Sequence, residues 1–417
     1  MNFSIIAEYN PFHNGHFYHI CEAKKITKSE NCIVIMSGNF VQRGEPAILN
    51  KQTRTKLALQ NGASVVVELP VPFATGSADI FACGAINLLK NMNIIDALCF
   101  GGESSDIDCM SYIADILINE PESFKNMLKR ELAGGISYPL ARYNALSLYI
   151  KKYRGDFKNY DLSFLKAPNN ILALEYIRAL KSQNSDIKPL LIQRKGNSFH
   201  QKEITSPIAS ATAIRTAVKE LEFIKAGETE EQLKNKIKAS LPENTREIFF
   251  KEIINYPKWE NYMPIINYIL RTKTKKELAN ISDITEGLEN RLLKYCSEKT
   301  AEDFLLCLKT KRYTLSKIKH ALIHLLLDIK KSDVTPYMDK GLPYIRILGF
   351  RKDKENLLKE IIRKAEIPVI TNIKSAEKTL SAAALALLNK EKQSSDIYYM
   401  LTTKEINTEY TKPIVIV

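Results

Sequence analysis

Two textures of apolar and polar positions alternate along the first hundred residues. Apolar runs of strand length are Ile5-Ile6 near the N-terminus, the continuous Cys32-Ile33-Val34-Ile35-Met36, and Val65–Leu69 and residues 95–100, each with a single acid. Runs without alternation suit strands buried on both faces of a parallel sheet. Between them, residues 17–26, Lys51–Gln60 and residues 77–91 have helical spacing, and Asn61-Gly62 stops the second of these. With the helical pattern of residues 107–153 after the fourth strand, four strand-then-helix alternations predict a doubly wound α/β unit with a parallel sheet. Lys188–Gln193 reads as a fifth strand. It follows a helix over residues 171–181, for which Pro168-Asn169-Asn170 supplies a capping Asn.

Beyond residue 220 the texture changes. Residues 220–241 are charged and helical, Pro242-Glu243-Asn244 opens another helix, and residues 278–307 and 316–330 read as amphipathic helices. Residues 375–388 are Ala/Leu-rich and helical, and only 368–370 and 413–417 look extended. The expected organisation is an α/β domain over 1–220 and a mainly α-helical domain over 221–417.

Composition sharpens this in two ways. A net charge of +13, with the larger share downstream of the α/β unit, is compatible with a nucleic-acid partner. The seven cysteines form no Cys-x-x-Cys pair, and several lie in apolar runs, as expected of thiols in a reducing compartment. No basic stretch precedes an apolar leader, and the longest apolar run, around residues 380–388, is too short to span a bilayer. A cytoplasmic protein without a membrane partner is expected. No Gly-rich P-loop and no Ser-His-Asp order appears.

The candidate chemistry starts after the first strand. His13-Asn14-Gly15-His16 falls where a strand, a tight turn and a helix start succeed one another. In open α/β sheets ligands bind in that crevice, and a helix N-terminus there favours phosphate. Gly15 allows close approach to the backbone. The bland alternative is one surface and one half-buried histidine in an ordinary turn. Ser210-Ala211-Thr212-Ala213-Ile214-Arg215 is a second candidate, with Ser210, Thr212 and Arg215 able to donate to phosphate oxygens at a helix start. Simple N-capping by Ser206 or Ser210 is the alternative there. The two stretches resemble the two signatures of the HxGH nucleotidyltransferase superfamily, with Ala211 replacing one hydroxyl of the second.

The resemblance becomes more specific when further segments are added in order: Tyr9-Asn10-Pro11-Phe12-His13-Asn14-Gly15-His16, Ser37-Gly38-Asn39-Phe40-Val41-Gln42-Arg43-Gly44-Glu45-Pro46, Glu68-Leu69-Pro70, Phe100-Gly101 and Pro168-Asn169-Asn170. Lys311-Arg312-Tyr313-Thr314 and Tyr344-Ile345-Arg346-Ile347-Leu348-Gly349-Phe350 extend it downstream. Together they are similar to the bacterial tRNA(Met) cytidine acetate ligase family. That resemblance implies a Rossmann-like nucleotidyltransferase domain and an ATP-dependent ligase. Acetate becomes acetyl-adenylate, and the acetyl group passes to N4 of the wobble cytidine in the anticodon of elongator tRNA(Met), releasing AMP and pyrophosphate. It implies His13 and His16 as catalytic residues. It implies ATP contacts from Ala7, Glu8, Tyr9, Asn10, Pro11, Phe12, His13, Asn14, Gly15, His16, Phe17, Tyr18, His19, Ile20, Gly101, Asn169 and Arg194, with Mg²⁺ accompanying ATP.

A basic stretch after residue 308 is the candidate RNA platform: Lys309, Lys311, Arg312, Lys317 and Lys319, with Tyr313 available to stack on a base. Arg346 and Arg351 are weaker candidates. The alternative is a solvated face with Leu315 and Ile318 turned inward. His320 and His324, four apart, have a possible metal spacing but no clear third ligand, so they read as a structural pair and no metal site is expected. Trp259 is expected in the core, and the residues themselves assign no role to His200. The rival readings are a nucleotidyltransferase or acetate ligase of the same fold acting on a metabolite or a protein thiol, and an RNA-binding protein with an idle nucleotide fold.

Overall fold

The computed structural model describes residues 1–103, 106–153, 162–194, 203–224, 227–298 and 300–417. Its strands are β1 (Phe3–Ala7), β2 (Cys32–Ser37), the hairpin β3 (Phe40–Val41) and β4 (Glu45–Pro46), β5 (Val65–Leu69), β6 (Ala97–Gly102), β7 (Lys188–Gln193), β8 (Ile345–Phe350), β9 (Val369–Ile370) and β10 (Val415–Ile416). The main sheet runs β10-β8-β5-β2-β1-β6-β7, with β9 also paired to β8. β5, β2, β1, β6 and β7 are mutually parallel.

The unbroken apolar runs follow from two-sided burial. Successive side chains of a strand point to opposite faces. In β2, Ile33 and Ile35 join a core with the helices Ala78–Asn91, Ile107–Asn119 and Pro168–Ser182. Cys32, Val34 and Met36 join a second core with the helices Asn14–Thr27, Lys51–Gln60 and Ala211–Leu221. Each fully buried aliphatic side chain contributes roughly 1.5–3 kcal/mol.

The chain builds outward from β1 to β2 and β5 on one side, then returns to place β6 and β7 on the other. The strand order therefore reverses at β1/β6, and the crevice beyond the carboxyl ends of these strands is the place for a ligand.

Residues 221–417 are mainly helical, as expected, but three short strands, β8, β9 and β10, also lie in this half. A third core joins the helices Trp259–Thr272, Leu288–Tyr295, Ala301–Leu308 and Leu315–Leu326. Past it the chain returns to the sheet: β8 pairs antiparallel with β5, and β10 pairs with β8. The long helix Ala382–Met400 then packs beside the β3–β4 hairpin, where Tyr398 Oη donates to Ala47 O at 2.9 Å. A boundary at residue 220 thus does not coincide with the layers. β8 is a six-residue run interrupted by Arg346, and its partner lies nearly 280 residues earlier, so no local periodicity announces the pairing. Among the described residues no helix is long and apolar enough to cross a membrane.

Candidate functional site

A cleft opens at the β1/β6 switch point. Its walls are the end of β1 (Ala7, Glu8), the ends of β6 and β7 (Gly101, Arg194), and the first turns of helices Asn14–Thr27, Pro168–Ser182 and Ala211–Leu221. Three helix N-termini therefore meet one space, each bringing the positive end of a helix dipole to it.

His13 is the N-cap of the first of these helices. Its Nδ1 accepts from the Gly15 N–H at 3.0 Å, which leaves the ring proton on Nε2. A Cβ on residue 15 would lie 2.8 Å from His13 Cε1, so glycine is needed for the ring to fold over the turn. His16, one turn on, lies against it with ring centroids 3.8 Å apart, and Tyr9 packs edge-on to His16 at 4.9 Å. Burial, then Arg194 and Arg215, lower the His13 pKa to about 3. Burial and His13 push His16 well below the ordinary value, and burial and Arg194 bring His19 down to about 4. All three imidazoles are neutral near pH 7, serving as hydrogen-bond donors rather than cations.

The positive charge comes from arginine. Arg194 donates to Asn169 Oδ1 at 3.1 Å, and Asn169 Nδ2 donates to Glu103 at 2.6 Å. An added Cβ at Gly101 would stand 3.2 Å from Arg194 Cγ, so the bare backbone lets this side chain lie across the end of β6. Arg43, from the turn between β3 and β4, reaches the opposite wall with Nε 3.7 Å from Glu8 Oε2. Neutral imidazoles, two guanidiniums and three helix starts form a site for a polyphosphate.

Of the expected nucleotide contacts, Ala7, Glu8, Tyr9, Asn10, His13, Gly15, His16, Tyr18, His19, Gly101, Asn169 and Arg194 line this cleft. Pro11, Phe12, Asn14, Phe17 and Ile20 do not. Phe12 and Ile20 are core side chains, and Phe17 faces outward. Asn14 Nδ2 donates to the carbonyls of Pro207 and Ala239, each at 2.9 Å. A segment that passes from strand through turn to helix cannot aim every side chain one way. Ser210 and Thr212 line the cleft, Ser210 while capping its helix through the Ala213 N–H at 3.0 Å. Arg215 braces the wall instead, donating to Asn10 O at 2.7 Å and pairing with Glu45 at 3.2 Å. Gln42, Arg43 and Tyr176 also line the site and were not expected there. For the first two the available signal was the Gln42-Arg43-Gly44 turn.

The expected RNA platform divides. Lys309, Lys311 and Arg312 are exposed on the loop before helix Leu315–Leu326. Lys317 pairs with Glu286 at 3.0 Å and Lys319 with Glu45 at 3.2 Å. Two candidates are corrected. Tyr313 is buried in the third core, its Oη donating to Glu286 O at 2.5 Å, so its ring has no free face. Arg346 lies inside the sheet, paired with Glu68 at 2.7 Å and with Glu409. The weaker candidate Arg351 pairs with Asp353 at 2.6 Å.

His320 and His324 are both buried. His320 Nε2 is 2.5 Å from Gln42 O. His324 Nε2 meets Thr75 Oγ1 at 3.0 Å and its Nδ1 lies 3.2 Å from Asp283. Their partners make them a structural pair. His200 lies outside the described residues. Trp259, expected in the core, is half-buried and lines a second cleft beside the first.

The sequence model of the HIGH Nucleotidyl Transferase family matches residues 1–412. A tRNA(Met) cytidine acetate ligase of Acetivibrio thermocellus is 36% identical over 99% of both chains. One from Caldanaerobacter subterraneus is 41% identical over 88% of both. Among solved structures, Thermotoga maritima TmcAL in its apo form superposes with a TM-score of 0.92 at 31% identity, covering 100% of both chains. The same protein bound to alpha-thio ATP superposes at 0.89. With its whole length matched in both sequence and fold, this chain belongs to the tRNA(Met) cytidine acetate ligase family of HIGH nucleotidyl transferases.

Proposed function

We propose that the switch-point cleft activates acetate with ATP and that the enzyme then acetylates N4 of the wobble cytidine of elongator tRNA(Met). The observation that carries this reading is the stacked, neutral His13–His16 pair set between Arg194 and three helix N-termini. Such a site suits attack on an α-phosphorus, which needs in-line positioning and charge stabilisation rather than a protein nucleophile.

In the first step an acetate oxygen attacks the α-phosphorus of ATP and pyrophosphate leaves with the bridging electron pair. His13 Nε2–H and His16 donate to the non-bridging oxygens as charge builds there. Arg194, fixed by Asn169, holds the departing phosphates. Mg²⁺ fits only as a passenger of the nucleotide, held by phosphates and water. Among the described residues Glu8 is the sole carboxylate lining the cleft, and they contain no group of three or more metal-ligating side chains. In the second step the N4 amine attacks the acetyl carbonyl carbon, AMP leaves, and the amine loses a proton. Lys309, Lys311 and Arg312 contact the tRNA backbone outside the cleft, in the cytoplasm where tRNA is modified.

The test is acetate-dependent exchange of labelled pyrophosphate into ATP without RNA, followed by transfer of labelled acetate to tRNA. The expected result is exchange and label in tRNA, both lost in His16→Ala. Exchange with no label in tRNA moves the acceptor to a thiol or metabolite. Normal exchange by His16→Ala removes the site assignment.

A further inference from the structure

A second cleft adjoins the first, and we propose that it seats the single-stranded acceptor RNA, with Phe223 as the stacking platform for an unpaired base. This rests on the transfer to RNA proposed above. The two clefts share Gln42, Arg43, Asn169, Leu172 and Thr212. They thus adjoin at these residues, beside which an acyl group on the α-phosphate would meet an incoming amine. The second space is the larger, about 2850 Å³ of open volume against about 1400 Å³.

Its lining has the chemistry of a single-stranded RNA groove. Phe223 is 85% exposed, just past the end of helix Ala211–Leu221. Leu306 and Leu315 are also exposed along the same cleft, and Trp259 is half-buried in its wall. One exposed apolar side chain needs no explanation, but a group of them around one concave surface does. Among the described residues six Lys or Arg line the cleft against four Glu, a net positive lining even with Arg215 and Lys319 paired to Glu45 and Lys258 to Glu222. That balance favours a polyanion over an acidic-poor protein segment. Aromatic faces stack on any base, while cations follow the backbone. A base drawn out of a loop toward the nucleotide cleft loses its own stacking partners, and Phe223 replaces them.

The chain contains a single tryptophan, Trp259, so tryptophan emission, excited on the long-wavelength side of tyrosine absorption, reports on the wall of this cleft. Titrating the full-length protein with a short single-stranded oligocytidylate is expected to quench it saturably, less so at high salt, and equally with or without saturating ATP. Phe223→Ala is expected to weaken oligonucleotide binding and tRNA acetylation roughly tenfold, with pyrophosphate exchange unchanged. Phe223→Tyr restores both. No quenching, quenching reversed by ATP, unaltered binding in Phe223→Ala, or equal loss of exchange and transfer would each overturn the proposal. If the unaltered enzyme shows quenching but no acetate-dependent exchange, the reaction falls and the RNA seat stands. Exchange without quenching gives the converse.

Discussion

A histidine buried beside two guanidiniums holds a second proton poorly, and this governs the site at the scale of single residues. His13 and His19 have pKa values of about 3 and about 4, against 6.5 for a free imidazole, with burial the main cause in both. The native state therefore binds fewer protons than the unfolded chain between these values. Stability from these groups is fully present above pH 6.5 and is lost as pH falls toward 4 and below. The urea midpoint is expected to be lower at pH 5 than at pH 7.5. In NMR spectra of the free enzyme, the ring Cε1–H signals of His13 and His19 should stay fixed between pH 7.5 and pH 5. A midpoint near 6.5 for either would mean that the imidazole is solvated or paired with an acid.

At the scale of elements, the ends of β1 and β2 are held by one side chain from the helix Lys51–Gln60. Arg54 is fully buried. Its Nε donates to Leu49 O at 2.9 Å, one terminal nitrogen to Glu8 O at 2.7 Å and Ser37 O at 3.0 Å, and the other to Gly38 O. Burial lowers its pKa to about 10, which leaves it charged at neutral pH. Four carbonyls, three of them at the carboxyl edge of the sheet, thus share one guanidinium, and Glu8 leads directly into the His13–His16 turn. Arg54→Met leaves these carbonyls without their donor and is expected to cost about 3 kcal/mol of stability by urea denaturation. Exchange activity should fall with it. Arg54→Lys should not recover either, because an ammonium lacks the planar fork that reaches four acceptors.

At the scale of the whole molecule, a buried charge cluster joins the two ends of the chain. Lys51 Nζ lies 2.6 Å from Glu68 and 2.5 Å from Glu409, and Arg346 closes the ring by pairing with the same two carboxylates. Burial would raise the Glu409 pKa, but Arg346 and Lys51 outweigh it and hold the carboxylate ionised. Glu391 is pushed well up by burial and Glu68, and accepts a hydrogen bond from the Val71 N–H. Two cations thus face Glu68 and Glu409, and beside them burial favours the protonated form of Glu391. Arg346→Leu breaks a buried pair and is expected to cost about 3–5 kcal/mol. Lys311→Ala and Arg312→Ala, on an exposed loop, should change stability by less than about 0.5 kcal/mol while weakening tRNA transfer more than acetate activation. Comparing urea midpoints with the two half-reactions separates the roles. Loss of tRNA transfer in Arg346→Leu at unchanged stability would return that residue to the RNA surface.

The parallel strands and the turn bearing His13 and His16 were legible in the sequence because local physics sets them. Two-sided burial writes unbroken apolar runs, and a strand-turn-helix passage writes Pro, Gly and capping residues within a few positions. The resemblance to the acetate ligases rested on that turn and on further short segments along nearly the whole chain. Tertiary structure decided what depends on distant partners. It put β8 against β5, turned Arg346 from a surface cation into a sheet-buried one, and sank Tyr313 into the helical core. It also set Arg215 to bracing Asn10 and Glu45. A basic or aromatic residue type leaves its destination open. Burial, and the carboxylate or carbonyl that the fold brings opposite it, fix what that residue does.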